Sequence, residues 1–304
     1  MALNRKIAYI DLDKKTVKLE LIPVEWRRKF VGGRGLDAYL LYTNTPEGCD
    51  PLGPDNVVVI SAGLLGGTLA SASSRTHIAA KSPLTNLFGS ANMGGFFAPE
   101  MRWAGIDHFV IRGKADRPVY IYVHDGEIEF RDADSVWGAG VYDTQAIIRK
   151  ELGDEETQTL CIGQAGENLV RFASVMTGRK DAGARTGMGA VLGSKNLKAI
   201  ACRGTMAIEI HQPEEALEYN KKTIDQVISS KASQSMQRWG TNFIFSISNA
   251  TGLIRTRNFQ YKQLPNSEDL EAENLDKYAI GMDACFGCQV HCRYRYVINE
   301  GDYA

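Results

Sequence analysis

Cys285, Cys288 and Cys292 stand in the run Cys-Phe-Gly-Cys-Gln-Val-His-Cys, a C-x2-C-x3-C spacing that places three thiols in one loop. Iron–sulfur clusters are held by thiolates in loops of this kind, and a cubane cluster wants a fourth ligand. No cysteine follows Cys292, so that ligand is Cys49, Cys161 or Cys202, or it lies in sequence absent here. Zinc also takes closely spaced cysteines, with His291 as a fourth donor. His291 directly precedes Cys292, however, a cramped position for chelating the same ion. A redox C-x-x-C pair leaves Cys292 without a role. The spacing ranks a cluster first, zinc second, and redox or plain structural roles last.

A second chemistry is suggested by two glycine loops. Ala91-Asn92-Met93-Gly94-Gly95-Phe96-Phe97-Ala98 leads through a helix-like stretch to Phe109-Val110-Ile111-Arg112-Gly113. Ala184-Arg185-Thr186-Gly187-Met188-Gly189-Ala190-Val191 leads to Ala199-Ile200-Ala201-Cys202-Arg203-Gly204. Both read as glycine turn, short helix, strand, Arg-Gly, which suggests a duplication; two unrelated tight turns are the alternative. Such loops would present backbone N–H groups to two similar anions. Arg185 would pair with a phosphate bidentately, or simply with a surface carboxylate. The stretch Gly187 to Lys195 is neither a Walker A loop nor a dinucleotide fingerprint, because its glycines follow G-x-G-x-x-x-G and Ser194 precedes Lys195. His108, His124 and His211 read as surface or satisfied core residues.

These residues need a scaffold. The 304 residues allow one large domain or two medium ones, and a 44% hydrophobic fraction fills a core. A net charge of −1 gives no sign of nucleic acid or an anionic membrane as partner. No apolar run approaches the roughly 20 residues of a membrane span. No signal-peptide core follows Met1, and six cysteines, three of them clustered, fit reduced thiols in a cytoplasmic protein.

Short apolar runs punctuated by glycine dominate residues 1–210. Lys6 to Leu12 and Thr16 to Ile22 alternate like a hairpin. Asp125-Gly126 joins Val119 to His124 with Glu127 to Arg131 in a second one. Further strands are expected at Asn56 to Ala62, Arg75 to Ala80, Phe109 to Arg112, Thr159 to Ile162, Arg171 to Met176 and Ala199 to Arg203. Helices are expected at Pro23 to Phe30, Leu36 to Thr43 and Thr144 to Leu152. Residues 211–304 change character, with an amphipathic helix from Pro213 to Ser230 and further helical stretches. The expected fold class is α+β: a β-rich N-terminal domain with an internal pseudo-repeat, then the start of an all-α domain carrying the cysteine motif.

Several segments then occur in a telling order. They are Gly32-Gly33-Arg34-Gly35-Leu36, Ala62-Gly63-Leu64-Leu65-Gly66-Gly67-Thr68, Lys81-Ser82-Pro83-Leu84-Thr85, Asn92-Met93-Gly94-Gly95-Phe96, Trp103-Ala104-Gly105, Gly163-Gln164-Ala165-Gly166-Glu167-Asn168 and Gly187 to Ala199. With the three cysteines behind them, the whole chain resembles the tungsten-dependent aldehyde:ferredoxin oxidoreductase family.

The resemblance implies a β-rich base on which a tungsten (or molybdenum) bis-pterin lies, with Mg2+ bridging the pterin phosphates and a [4Fe–4S] cluster close by. Arg75 would bridge pterin and cluster. Asn92, Gly94 and Gly95 would contact one pterin phosphate, with an Asn92 carbonyl on magnesium. Arg185, Thr186 and Gly187 would serve the second pterin, and Cys285, Cys288 and Cys292 would hold three irons. The implied activity is oxidation of an aldehyde to a carboxylic acid, with electrons passed to ferredoxin or an iron–sulfur subunit. Reduction of an aromatic-ring acyl-CoA thioester is the alternative within the family, and a non-catalytic iron–sulfur or zinc fragment is the alternative outside it. Family members are about twice as long, so a fragment or a split enzyme completed by a separate chain is expected. No catalytic base is assigned, since the expected ones lie beyond Ala304.

Overall fold

The computed structural model describes residues 5–299 and 301. The expectation about the chain start at Met1 to Asn4 therefore lies outside the described residues. Two compact units are present, Met1–Glu214 and Glu215–Ala304.

The first unit runs β1 (Lys6–Asp11), β2 (Thr16–Leu21), α1 (Val24–Phe30), α2 (Arg34–Asn44), β3 (Val58–Ala62), β4 (Thr76–Lys81), β5 (Phe88–Met93), α3 (Phe97–Trp103) and β6 (His108–Arg112). It continues with β7 (Val119–His124), β8 (Glu127–Asp132), α4 (Val141–Leu152), β9 (Gln158–Cys161), α5 (Gln164–Glu167), β10 (Val175–Thr177), β11 (Asp181–Gly183), α6 (Met188–Ser194) and β12 (Leu197–Arg203). One six-stranded sheet has the order β2-β1-β6-β3-β4-β5, and the other, read from its hairpin, β8-β7-β12-β9-β10-β11. The second order is the first with each strand number raised by six. The parallel pairs match as well, β1 with β6 and β7 with β12. The repeat therefore spans the whole unit, well beyond the two glycine loops.

Contacts between the copies obey the same two-fold relation. Ala115 N–H donates to Lys195 C=O at 3.1 Å, and its counterpart Met206 N–H donates to Trp103 C=O at 2.9 Å. The hairpin-turn carboxylates also correspond: Asp13 accepts from Lys114 N–H at 3.1 Å and Asp125 from Thr205 N–H at 2.7 Å. These contacts explain the repeated Arg-Gly. A Cβ on Gly113 would lie 2.3 Å from Asp13 Oδ2, and one on Gly204 would lie 2.0 Å from Ala104 N. Only glycine lets the chain pass so close to the other elements.

The main core lies between the sheets and includes Ile60, Ile78, Phe109, Ile121, Leu160 and Ile200, with Phe97, Met101, Val191 and Leu192 from α3 and α6. On the outer face of the first sheet, Leu36, Leu40 and Leu41 of α2 pack on Ile7, Val57, Val59 and Val110. On the outer face of the second, Ile148 of α4 packs on Tyr120, Cys161, Ala199 and Ala201. Each sheet thus has one apolar layer inside and one under a helix.

Two edge strands, β5 and β11, were not expected. Phe88-Gly89-Ser90-Ala91-Asn92-Met93 has small and polar residues where strands favour β-branched ones, so it resembles a turn. Its burial nonetheless alternates, with Gly89, Ala91 and Met93 inward. The two edges lie against each other: a Cβ on Gly89 would meet Met188, and one on Gly183 would meet Ile78, Met93 and Ala91.

The second unit is led by α7 (Pro213–Ser229), α8 (Lys231–Trp239), a 3-10 turn Gly240–Ile244 and α9 (Phe245–Ala250). Short helical turns around α10 (Ala272–Leu275) follow. β13 (Ala279–Asp283) and β14 (Arg293–Tyr296) then pair antiparallel. The cysteine motif therefore sits in a loop, as its spacing suggests, but the loop joins the two strands of a β-hairpin inside a domain expected to be all-α.

Candidate cofactor site

The strand ends of the first copy gather the residues singled out there. Thr76 of β4 faces Met93 of β5 and His77 faces Asn92, so Arg75 and Gly94 follow at the same end of the sheet. Gly63 N–H donates to Arg75 C=O at 3.0 Å, which brings the Gly63–Gly67 loop alongside. Arg102 holds that loop from below, donating to the Leu64 and Gly66 carbonyls at 2.7 and 2.9 Å. Arg75 and Asn92 are exposed, while Gly94 and Gly95 are buried. Gly95 has φ 88°, and a Cβ there would approach Asp181 Oδ2 at 3.0 Å.

The second copy places Arg185, Thr186 and Gly187 between β11 and α6. Arg185 is exposed and Gly187 buried. Gly187 has φ 75°, and a Cβ there would lie 1.9 Å from Arg171 O. Ser82 ties this loop to the first copy. Its hydroxyl donates to Thr186 C=O at 2.8 Å and accepts from Leu84 and Thr85 N–H at 3.1 and 3.2 Å. This is a physical reason for the Lys-Ser-Pro-Leu-Thr turn. Among the described residues neither Arg75 nor Arg185 makes a side-chain hydrogen bond or ion pair. Two exposed guanidinium groups beside glycine-lined backbone suit an anionic, phosphate-bearing ligand.

The cysteine loop is sutured to the second unit's helices. Cys288 N–H donates to Cys285 C=O at 3.1 Å, and positive φ values at Gly287 (62°) and His291 (50°) turn the chain around the three half-buried thiols. Gln237 Nε2 donates to Gln289 C=O at 2.7 Å, and Thr241 N–H to Cys292 C=O at 3.0 Å. Tyr294 O–H donates to Gln237 and Arg238 carbonyls at 3.0 and 2.6 Å. Two of the proposed fourth ligands are spoken for within the first unit. Cys161 and Cys202 are buried in the sheets, and burial pushes Cys161 up to about 12 and Cys202 well above its ordinary value. Neither offers a thiolate.

Other polar groups were not foreseen. Asp37 of α2 is fully buried and accepts from Ser61 Oγ at 2.5 Å, His77 Nδ1 at 2.5 Å and His108 Nδ1 at 2.7 Å. Burial works to raise its pKa, but the hydrogen bonds from His108 and His77 outweigh it and hold the carboxyl below its ordinary value. His108 is therefore part of a charged cluster, not an isolated histidine. His124, Glu127 and Glu129 bring one ligand atom each within 4.8 Å of one another on the β7–β8 hairpin. Arg131 already pairs with Glu129 there at 2.8 Å, so this is an ion-pair cluster. Among the described residues no helix is long and apolar enough to cross a membrane.

Residues 7–204 match the family described as aldehyde ferredoxin oxidoreductase, N-terminal domain, and residues 218–304 match its domains 2 and 3. The tungsten-containing aldehyde ferredoxin oxidoreductase of Pyrococcus furiosus is 39% identical over 285 residues, covering 93% of this chain and 47% of that protein. The aliphatic sulfonate oxidoreductase WOR-like subunit of the same organism is 31% identical over 321 residues, covering 99% and 50%. Among solved structures, the active-site complex BamBC of benzoyl coenzyme A reductase with 1,5-dienoyl-CoA superposes with TM-score 0.85 at 30% identity, covering 98% of this chain and 48% of that one. The chain spans about half the length of the curated relatives it matches.

Proposed function

The chain belongs to the aldehyde ferredoxin oxidoreductase family, whose tungsten-containing members imply a tungsten–pterin cofactor, and we propose that it forms the cofactor base of such an oxidoreductase. The substrate is an aldehyde, oxidised with water to the carboxylic acid, with release of two electrons and two protons. A bound tungsten pterin supplies the two-electron chemistry and an adjacent [4Fe–4S] cluster passes electrons on singly.

The observation that carries this reading is the two-fold repeat. It produces two corresponding turns, each with a left-handed glycine ahead of a short helix; an exposed arginine stands within the second turn (Arg185) and another beside the first, just before β4 (Arg75), which suits two phosphate-bearing pterins. Arg75 and Arg185 bind and orient the anionic ends. Gly94, Gly95 and Gly187 let the backbone approach. An Asn92 carbonyl and the Thr186 loop would offer oxygen atoms to a Mg2+ accompanying the phosphates. Cys285, Cys288 and Cys292 ligate three irons. In support of a cluster over zinc, the C-x2-C-x3-C spacing leaves His291, directly before Cys292, cramped as a fourth donor to the same zinc. Ferredoxin or an iron–sulfur subunit accepts the electrons, and the rest of the site comes from a further segment or chain. The setting is the cytoplasm.

The likeness to the benzoyl coenzyme A reductase complex favours a second reading, reduction of an aromatic acyl thioester. The test is anaerobic purification from tungstate-supplied cells, followed by assay with aldehydes plus a viologen acceptor and with aromatic acyl-CoA plus a strong reductant. Aldehyde-dependent viologen reduction upholds the first reading, and acyl-CoA reduction alone replaces it with the second. Tungsten-loaded protein active in neither assay would refute both.

A further inference from the structure

The Asp37 cluster lies directly beneath the first of the two loops. Ser61 of β3 faces His77 of β4 on one side and His108 of β6 on the other, and His77 faces Asn92 of β5. These residues form one row across four strands, one row in from the Gly63, Arg75 and Gly94 loops, with Ala62, Thr76 and Met93 between. Asp37 reaches the row from above, its own N–H donating to Gly33 C=O at 2.9 Å in the first turn of α2. The carboxylate only accepts, so His77 Nδ1 carries a proton toward it, and Nε2 is hydrogen-bonded with the Ser90 hydroxyl at 2.9 Å. One buried anion thereby ties α2, β3, β4, β5 and β6 together.

The second copy shows that the fold does not need this. By register, Cys161 faces Met176 and Ala199, the places taken in the first copy by Ser61, His77 and His108. Cys161 and Ala199 are fully buried in an apolar layer. The same architecture thus closes over sulfur and methyl groups. Burying an ionic cluster where an apolar one suffices is neutral or unfavourable for stability, and such clusters are kept to fix a conformation.

We infer that Asp37 and His77 are positioning residues that lock the Gly33, Arg75 and Asn92–Gly95 segments as one body and so make the first cofactor loop stiffer than the second. This rests on the cofactor reading above. The two halves of the cradle are then inequivalent, one preset by a hydrogen-bonded chain across its own strands and the other anchored from outside its own sheet, by Ser82 on the Thr186 carbonyl.

The test places the second copy's residues in the first, using the full chain with Ser61→Cys, His77→Met and His108→Ala together with Asp37→Leu, which replaces the carboxylate by an apolar group of similar size. Amide hydrogen exchange is read at both loops beside the melting temperature. The inference predicts exchange at least tenfold faster at Asn92–Gly95, no change at Ala184–Gly187, and melting within a few degrees of wild type. Unchanged exchange at the first loop would overturn it. So would equal acceleration at both loops in step with a fall in melting temperature, which marks a general stability effect. Should the fourfold variant not fold, His77→Gln is read in the same way. Tungsten content of the same samples separates the two readings. Faster first-loop exchange with unchanged tungsten keeps the positioning role and removes that loop from cofactor binding.

Discussion

Gly95 and Gly187 sit one residue apart in corresponding turns of two copies of one six-stranded sheet, both in the left-handed region, with φ 88° and 75°: Gly187 is the N-cap of α6, whereas Gly95 precedes Phe96, the N-cap of α3. They are not equally replaceable. A Cβ on Gly187 would overlap the Arg171 backbone carbonyl at 1.9 Å, whereas one on Gly95 would meet the Asp181 side chain at 3.0 Å. Backbone cannot yield as a carboxylate can. Gly187→Ala is expected to destabilise by about 2–5 kcal/mol and Gly95→Ala by about 1–2 kcal/mol, read from urea unfolding midpoints. Equal losses would contradict this reading of the two loops.

Asp37→Asn removes the charge that two histidines and a serine point at. Breaking a buried ionic cluster in this way costs about 3–5 kcal/mol. The folded carboxyl titrates below its unfolded value, so its contribution is present above the unfolded pKa and is lost as pH falls through the folded one. Wild type should therefore lose stability on acidification below about pH 4, and Asp37→Asn should show a shallower acid limb in denaturation curves. Parallel acid limbs would show that the carboxylate is not held as described.

Lys195 gives the opposite test at alkaline pH. Its ammonium is buried, donates to the Pro54 and Gly113 carbonyls at 3.0 Å each, and is pushed by desolvation down to about 8. Between that value and the ordinary lysine range the unfolded chain binds more protons, so stability should rise with pH, by about 3 kcal/mol in total. Lys195→Met should lose this rise. A wild-type curve that falls steadily above pH 8 would count against it.

The cysteines divide into two groups. Replacing Cys285, Cys288 or Cys292 with alanine should abolish iron binding, measured by iron content and electron paramagnetic resonance after reduction. Cys161→Ala and Cys202→Ala should leave iron unchanged, because their buried thiols stay protonated. Iron loss in either buried variant, with the protein folded, would reassign the ligands.

Much of this molecule is written in local pattern. The Asp125-Gly126 hairpin and the continuous apolar strand β3 were legible because turn chemistry and burial act on neighbouring residues. The cysteine spacing and the glycine loops were legible for the same reason. The edge strands β5 and β11 were hidden by their small residues, which are dictated by how closely the two sheets pass. The full extent of the repeat was hidden because the copies share strand order and contact geometry more than residue type, as the corresponding pairs Ala115–Lys195 and Met206–Trp103 show. Asp37, His77 and His108 were invisible as a group, since only the fold brings three distant positions onto one carboxylate.

The most direct measurement is tungsten, molybdenum, iron and zinc per chain after anaerobic purification from tungstate-supplied cells, for wild type, an Arg75→Ala Arg185→Ala variant and a Cys285→Ala Cys288→Ala Cys292→Ala variant. The account predicts tungsten with about four irons in wild type, tungsten loss in the arginine variant with iron kept, and iron loss in the cysteine variant. Zinc in place of iron, or tungsten content indifferent to both arginines, would contradict it.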